Sequence, residues 1–171
     1  MTQAAGDADK LHQPIIKLAG FALAHAAWSV SKGETLCTMA FTENGSNRQL
    51  FRFEADTIPE SVEIGRQHLN DLQAELERWI LVFDGYVTLG DEKLDALVMQ
   101  LWSHRPETLA RIVQPYRPRT RLRRFKVLGN PIFADSAGAL REDANYQQWF
   151  LDGVHEHPKV SELWEKWYQA G

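Results

Sequence analysis

The stretch WILVFDGYVTLGDEKLDALVMQLW, residues 79–102, decides the fold of this 171-residue chain. Two apolar runs rich in β-branched and aromatic residues, Trp79 to Leu89 and Leu94 to Trp102, flank the acidic turn Gly90 to Lys93. Runs of this composition that are joined by a short turn are typical of a β-hairpin. The sequence therefore predicts two antiparallel strands here.

Patterns on the N-terminal side predict a helix, a hairpin and a second helix. From Pro14 to about Gly33, apolar and small residues recur at helical spacing. Residues 36–54 alternate apolar and polar side chains on either side of an Asn-Gly turn, which is typical of a hairpin. Residues 57–60 have the pattern of a capping box, and a 3.6-residue period behind them predicts a helix to about Arg78.

Patterns on the C-terminal side predict two more strands and two short helices. The strand candidates are Leu109 to Tyr116 and Leu122 to Leu128, and helical spacing returns from Ser136. The predicted order is α-ββ-α-ββββ-αα. Short turns between these elements favour an α+β fold with an antiparallel sheet of about six strands and helices largely on one face.

Length and composition favour one domain. A chain of 171 residues suits a single core, and no repeat or Gly/Ser/Pro-rich linker divides it. We predict a flexible tail over residues 1–10 and one α+β domain over residues 11–171. We also expect a set of periodic apolar residues to share one core. They are Phe41, Phe51, Phe53, Leu72, Leu76, Val82, Val98 and Ile112.

Several classes of protein are disfavoured by composition. A single cysteine, Cys37, excludes an internal disulfide and any site built from several thiolates of this chain. The first ten residues carry acids where a signal peptide has a basic region. The most apolar window, Ile15 to Val30, is shorter than the roughly 20 residues that span a bilayer. We therefore expect a cytoplasmic protein that does not enter membranes.

No common catalytic or cofactor motif is present. The chain lacks the G-x-G-x-x-G, G-x-x-x-x-G-K-[ST], G-x-S-x-G and H-E-x-x-H patterns. His155 and His157 stand close in sequence, but two histidines are too few for a metal site. We predict that the protein uses neither a metal nor a cofactor.

Charge is distributed unevenly along the chain, whose net charge is −4. From Arg105 to Lys126, seven arginines and one lysine stand against Glu107 alone, whereas the other residues carry 11 basic and 22 acidic side chains. Such a separation creates a local attractive field for anions despite the negative total. This basic segment is the clearest functional signal in the sequence.

Four arginines in the basic segment stand two residues apart, a spacing that places side chains on one face of an extended strand. They are Arg117, Arg119, Arg121 and Arg123, with Arg111 expected to join them from the preceding strand. Guanidinium groups bind carboxylates and phosphates through paired hydrogen bonds. The sequence thus predicts a binding protein that recognises an acidic partner or an anionic ligand through an arginine-rich strand.

Two other interpretations remain open. The arginines could instead form a solvated strand face whose charges pair with acids of this chain. Those acids are Asp84, Asp91, Glu92 and Asp95. In the second interpretation the protein is a small enzyme, in which arginines position an anionic substrate and His104, Asp84 or Asp95 transfers a proton. A pocket that joins an arginine with a histidine or carboxylate would favour the enzyme.

The remaining expectations concern partners. Nucleic acid is disfavoured because the sequence pI is 5.9 and few aromatic residues interleave with the arginines. Aromatic residues crowd the last 26 positions, where we expect them either to seal the sheet or to form a homodimer interface. They are Tyr146, Trp149, Phe150, Trp164, Trp167 and Tyr168.

Overall fold

One curled sheet runs through the part of the chain that the computed structural model describes, residues 10–135, 140–141 and 144–171. Its strands are β1 Thr38–Asn44, β2 Asn47–Phe53, β3 Arg78–Leu89, β4 Glu92–Ser103, β5 Thr108–Arg117, β6 Lys126–Leu128, β7 Ile132–Asp135, β8 Leu140–Arg141 and β9 Tyr168–Gln169. The helices are α1 Gln13–Val30, α2 Ile58–Leu72, α3 Ala144–Glu156 and α4 Trp164–Trp167, and a 3₁₀ turn spans Gln73–Glu75. The predicted tail, residues 1–10, lies outside the described residues except for Lys10.

The sheet has the order β2-β1-β3-β4-β5-β6-β9, and β7 joins β5 on the same side as β6. All strand pairs among the described residues are antiparallel except β6 with β9, which are parallel. The α+β class is confirmed. The prediction of about six antiparallel strands is wrong, because short strands such as β8 and β9 have no periodicity that a sequence pattern can reveal.

The central hairpin lies where residues 79–102 predict it. Strands β3 and β4 pair over twelve residues each, from Arg78 opposite Ser103 to Leu89 opposite Glu92. Gly90 begins the two-residue turn with a φ of +62°, a conformation that glycine adopts without strain. The hairpin occupies the middle of the sheet, and the other strands extend from both of its edges.

Among the described helices, α1, α3 and α4 pack on one face of the sheet, as predicted, and α2 packs on the other. Side chains alternate along β3: Ile80 and Val82 belong to the core that contains α1 and α3, whereas Trp79 and Leu81 belong to the core that contains α2. The expected single shared core is therefore two cores. Phe41, Val82 and Ile112 lie in the first, and Phe51, Phe53 and Leu76 lie in or against the second.

Helices α1 and α3 cross at two glycines. A Cβ atom placed on Gly20 would lie 1.9 Å from the carbonyl oxygen of Phe150, and one placed on Gly153 would lie 1.9 Å from that of Lys17. The backbones thus approach more closely than any side chain permits. This crossing fixes α3, and with it the C-terminal segment, against the sheet.

Candidate anion-binding site

The backbone between β5 and β6 forms a turn rather than a strand. Here we define the basic loop as residues 118–125, none of which pairs with another strand among the described residues. The N–H of Thr120 donates to the carbonyl of Arg123 at 2.9 Å. The Thr120 hydroxyl accepts from the N–H groups of Leu122 at 3.3 Å and Arg123 at 3.1 Å. The predicted strand Leu122 to Leu128 is therefore restricted to β6.

This turn corrects the geometry of the arginine stripe. Arg119, Arg121 and Arg123 do not project from one face of a strand, because two-residue alternation applies only to extended backbone. Thr120 hydrogen-bonds to its own neighbours and so competes with strand pairing, as threonine does in many turns. All three arginines are exposed on the loop.

An aromatic side chain anchors the basic loop from beneath. Phe125 is buried and its ring contacts Tyr116 and Trp167, with ring centroids 5.7 and 5.2 Å apart. Next to it, Lys126 Nζ donates to the carbonyl of Lys166 at 2.7 Å. Strand β6 is also paired on both edges, with β5 and β9. The loop is thus fixed at its C-terminal end, so its arginines project from an anchored backbone.

The basic loop, the end of α1 and the C-terminal segment enclose a groove of about 580 Å³, which we call the basic groove. Its lining residues are Ser31, Arg119, Thr120, Arg121, Leu122, Arg123, Arg124, Phe125, Lys126, Leu163, Lys166 and Trp167. Four arginines and two lysines are among them. No described aspartate, glutamate or histidine lines this groove.

The exposed arginines of the loop are not neutralised by acids of this chain. Ion pairs occur elsewhere, for example between Arg78 and Glu43, but no arginine from 105 to 124 forms one with a described residue. Asp84, one of the acids expected to pair with them, instead accepts hydrogen bonds from the Tyr116 hydroxyl at 2.9 Å and the Gly85 N–H at 3.1 Å. The contacts therefore do not support internal pairing.

Two of the five predicted site residues lie outside the basic groove. Arg111 is in the middle of β5, opposite Gln100, and six residues before Arg117, which corresponds to about 20 Å along a strand. Arg117 ends β5 and lines a neighbouring pocket. Its Nε atom is buried and has no hydrogen-bond partner among the described residues. The expectation that Arg111 joins the stripe is thus corrected.

Sequence reasoning missed several lining residues. Arg124 and Lys126 belong to the basic segment but do not fit the two-residue spacing. Lys166 and Trp167 come from α4, about 40 residues further along the chain. The net charge of the segment would have revealed the first pair. Only the tertiary structure brings the second pair to the loop.

A second pocket, of about 600 Å³, tests the enzyme interpretation. It brings Asp95 and Glu92 together with Arg117 and Arg123, so it does join arginines with carboxylates. Asp84 is not among its lining residues, although it accepts a hydrogen bond from Tyr116, which is one of them. Burial raises the pKa of Asp84, the bond from Tyr116 opposes that rise, and Asp95 adds to it. Asp84 is therefore a half-buried acid that does not line the pocket.

His104, the third residue of the enzyme interpretation, lies far from these acids. It follows the end of β4 and stacks on Trp102, with ring centroids 6.1 Å apart. Asp95 is nine residues earlier on the same strand, about 30 Å away. The three proposed proton-transfer residues therefore do not form one site.

His157 bonds to another histidine rather than taking part in a metal site. Its Nδ1 accepts from the Lys159 N–H at 3.2 Å, so Nε2 carries the proton and donates to His25 Nδ1 at 3.1 Å. His155 is exposed on α3. Among the described residues, no group of three or more His, Cys, Asp or Glu side chains is placed to hold a metal ion.

The histidine pair predicts an acid-sensitive stability. Burial, aided by neighbouring His25, lowers the pKa of His157 to about 4, and burial with Arg52 lowers that of His25. In the unfolded chain both titrate near 6.5. The unfolded state therefore takes up protons first as pH falls, so the stabilisation is complete above about pH 6.5 and is lost towards about pH 4.

We expect the melting temperature to fall over that pH range and the fall to be shallower in His157→Gln, which removes one titrating group. Differential scanning calorimetry in a pH series would measure this. His155→Gln is the matched control, and its melting temperature should fall with pH as steeply as that of the wild type. Equal slopes for His157→Gln and wild type would show that the pair does not control acid stability.

The C-terminal aromatic residues pack within this chain. Tyr146, Phe150 and Trp164 are buried in the first core, and Trp149 and Trp167 pack against it. Phe150 meets Phe133 edge to face, with centroids 6.0 Å apart. These contacts support sealing of the sheet. A homodimer interface through these aromatic residues stays a prediction.

Fold and groove define the class of this molecule: an α+β protein with a curled, mostly antiparallel sheet that carries a groove rich in arginine and lysine. No family model, curated protein or solved structure matches the chain. None of the helices in the described part of the chain has the length and apolar character needed to cross a membrane.

Proposed function

We propose that this protein is a binding protein whose basic groove receives the anionic groups of a ligand or of an acidic partner. One observation carries the proposal. Four arginines and two lysines line a single groove to which the described residues contribute no acid, and the loop arginines form no ion pair with described residues. Uncompensated like charges repel one another, and a bound anion relieves that repulsion.

The chemistry of the lining suits carboxylate or phosphate groups. Arginine presents a planar fork of N–H donors that matches two oxygens of either group, and such charge-assisted bonds are stronger than neutral ones. A groove of about 580 Å³ is within the range of small-molecule sites. It is also large enough for several anionic groups at once.

The basic loop is ordered before any ligand arrives. Thr120 holds the turn through two hydrogen bonds to its hydroxyl, and buried Phe125 fixes the chain beneath it. Preorganisation lowers the entropy that binding must overcome. The arginine side chains themselves stay exposed, which leaves their donors available to a ligand.

The groove favours binding over proton transfer. A general acid or base must lie within hydrogen-bond reach of the substrate, and no described histidine or carboxylate lines the groove. Glu92 and Asp95 line the neighbouring pocket instead. An enzyme that uses the neighbouring pocket remains the alternative proposal.

A nuclear magnetic resonance titration tests where anions bind. On adding inorganic pyrophosphate, we expect the largest shifts at the amides of residues 119–126 and at the indole N–H of Trp167. These shifts should weaken in high salt, since the Debye length falls from about 10 Å at 0.1 M to about 3 Å at 1 M. The smaller cavity of about 270 Å³ around Ile15 and Phe133 is the internal control. Shifts centred there, or none, would contradict the proposal.

A further inference from the structure

The tip of the basic loop carries an apolar side chain that simple anion binding does not use. Leu122 is 96% exposed between Arg121 and Arg123. Building on the proposed function, we infer that the occupant of the basic groove is an acidic polypeptide segment with an apolar side chain, which Leu122 contacts. The arginines and lysines of the groove complement an acidic segment in charge, and the apolar lining residues favour an apolar side chain at its centre.

The exposure of Leu122 follows from the turn. Thr120 accepts from the Leu122 N–H, and the ring of Phe125 occupies the interior position beneath the loop. With that position filled, Leu122 projects outward. A single exposed leucine is common on protein surfaces. This one differs because it lies within the lining of a groove that has other apolar residues.

The groove combines a basic rim with apolar lining residues. Leu163 and Trp167, from the C-terminal segment, line it together with Phe125 and Leu122. An inorganic anion would contact only the guanidinium and ammonium groups. A peptide offers both kinds of group, because alternate residues of an extended chain point to opposite sides. Its carboxylates would meet the arginines while an apolar side chain enters between Leu122 and Trp167.

The same features disfavour two other partners. A flat membrane surface could contact Leu122 at the tip, but one apolar side chain with basic neighbours gives only weak anchoring. It would also leave the apolar residues inside the groove unused. Single-stranded nucleic acid needs open aromatic faces for base stacking. Phe125 is only 4% exposed and packs edge to face with Trp167, so the lining offers one partly exposed aromatic ring rather than a series of stacking faces.

Two labelled peptides test the inference. One is Glu-Glu-Glu-Leu-Glu-Glu-Glu and the other has serine in place of its leucine, both measured by fluorescence anisotropy. We expect the wild type to bind the leucine peptide about tenfold more tightly, the change that burial of one leucine side chain produces. Leu122→Ser should remove this preference, so that the variant binds the two peptides equally.

Leu109→Ser is the matched control, because Leu109 is also exposed, at 57%, but lies at the start of β5. It should behave as the wild type does. Equal binding of both peptides by wild type and Leu122→Ser would overturn the inference while the proposed function stands. Binding of neither peptide, with no response to pyrophosphate, would overturn both. Binding to phosphatidylserine vesicles or to oligothymidylate that is tighter than binding to the leucine peptide, and that is lost in Leu122→Ser, would also overturn the inference.

Discussion

Replacing Gly153 with alanine should lower the free energy of unfolding by about 3 kcal/mol or more, the upper end for overpacked cores. The added Cβ would lie 1.9 Å from the carbonyl oxygen of Lys17, on the facing helix. That oxygen belongs to the backbone of α1, so only a separation of the two helices relieves the clash. The loss should exceed the gain of about 1 kcal/mol that alanine brings to a helix interior.

Urea denaturation would measure this change through the transition midpoint. Gly65→Ala on α2 is the matched control, since the atoms nearest to its Cβ would be side-chain atoms of Leu81 and Phe53, at 2.9 and 3.0 Å. Side chains can rotate away, so we expect a clearly smaller loss. A Gly153→Ala variant as stable as Gly65→Ala would show that α1 and α3 do not cross as closely as described.

Elements with strong local signals were predicted well from the sequence. The hairpin of β3 and β4 follows its two apolar runs, and the capping box at the start of α2 is present. There the Thr57 side chain accepts from the Glu60 N–H while the Glu60 side chain accepts from the Thr57 N–H. In both cases residues close in sequence determine the structure, so the pattern carries the information.

The arrangement of helices was not predictable in the same way. A strand that is apolar on both faces, as β3 is around Ile80 and Leu81, shows that two layers cover it. The sequence does not say which helix lies on which side. In the structure α2 packs against the face opposite to α1.

The candidate site was predicted in composition but not in shape. The segment from Arg105 to Lys126, which its charge singles out, supplies five of the six basic residues that line the groove. The strand geometry failed because one side chain, that of Thr120, closes a turn. Lys166 and Trp167 could not be predicted, since contacts between residues about 40 positions apart bring them to the loop.

Reversing two charges in the basic groove should abolish most of its affinity for anions. In Arg121→Glu/Arg123→Glu, two charge-assisted contacts become repulsive. We expect the affinity for the labelled serine peptide to fall by roughly a hundredfold, given about 1.5–3 kcal/mol for each hydrogen bond to a charged group. The melting temperature should stay nearly constant, because both side chains are exposed and neither forms an ion pair with a described residue.

The matched control is Arg66→Glu/Arg105→Glu, which makes the same change in net charge at two exposed arginines outside the groove. Anisotropy titrations of the three proteins at low salt give the decisive comparison. We expect the control to bind within a few-fold of the wild type and the groove variant to bind roughly a hundredfold more weakly. Equal weakening in both variants would show that net charge alone attracts the peptide. Full binding by the groove variant, with a lowered melting temperature, would show that these arginines are structural.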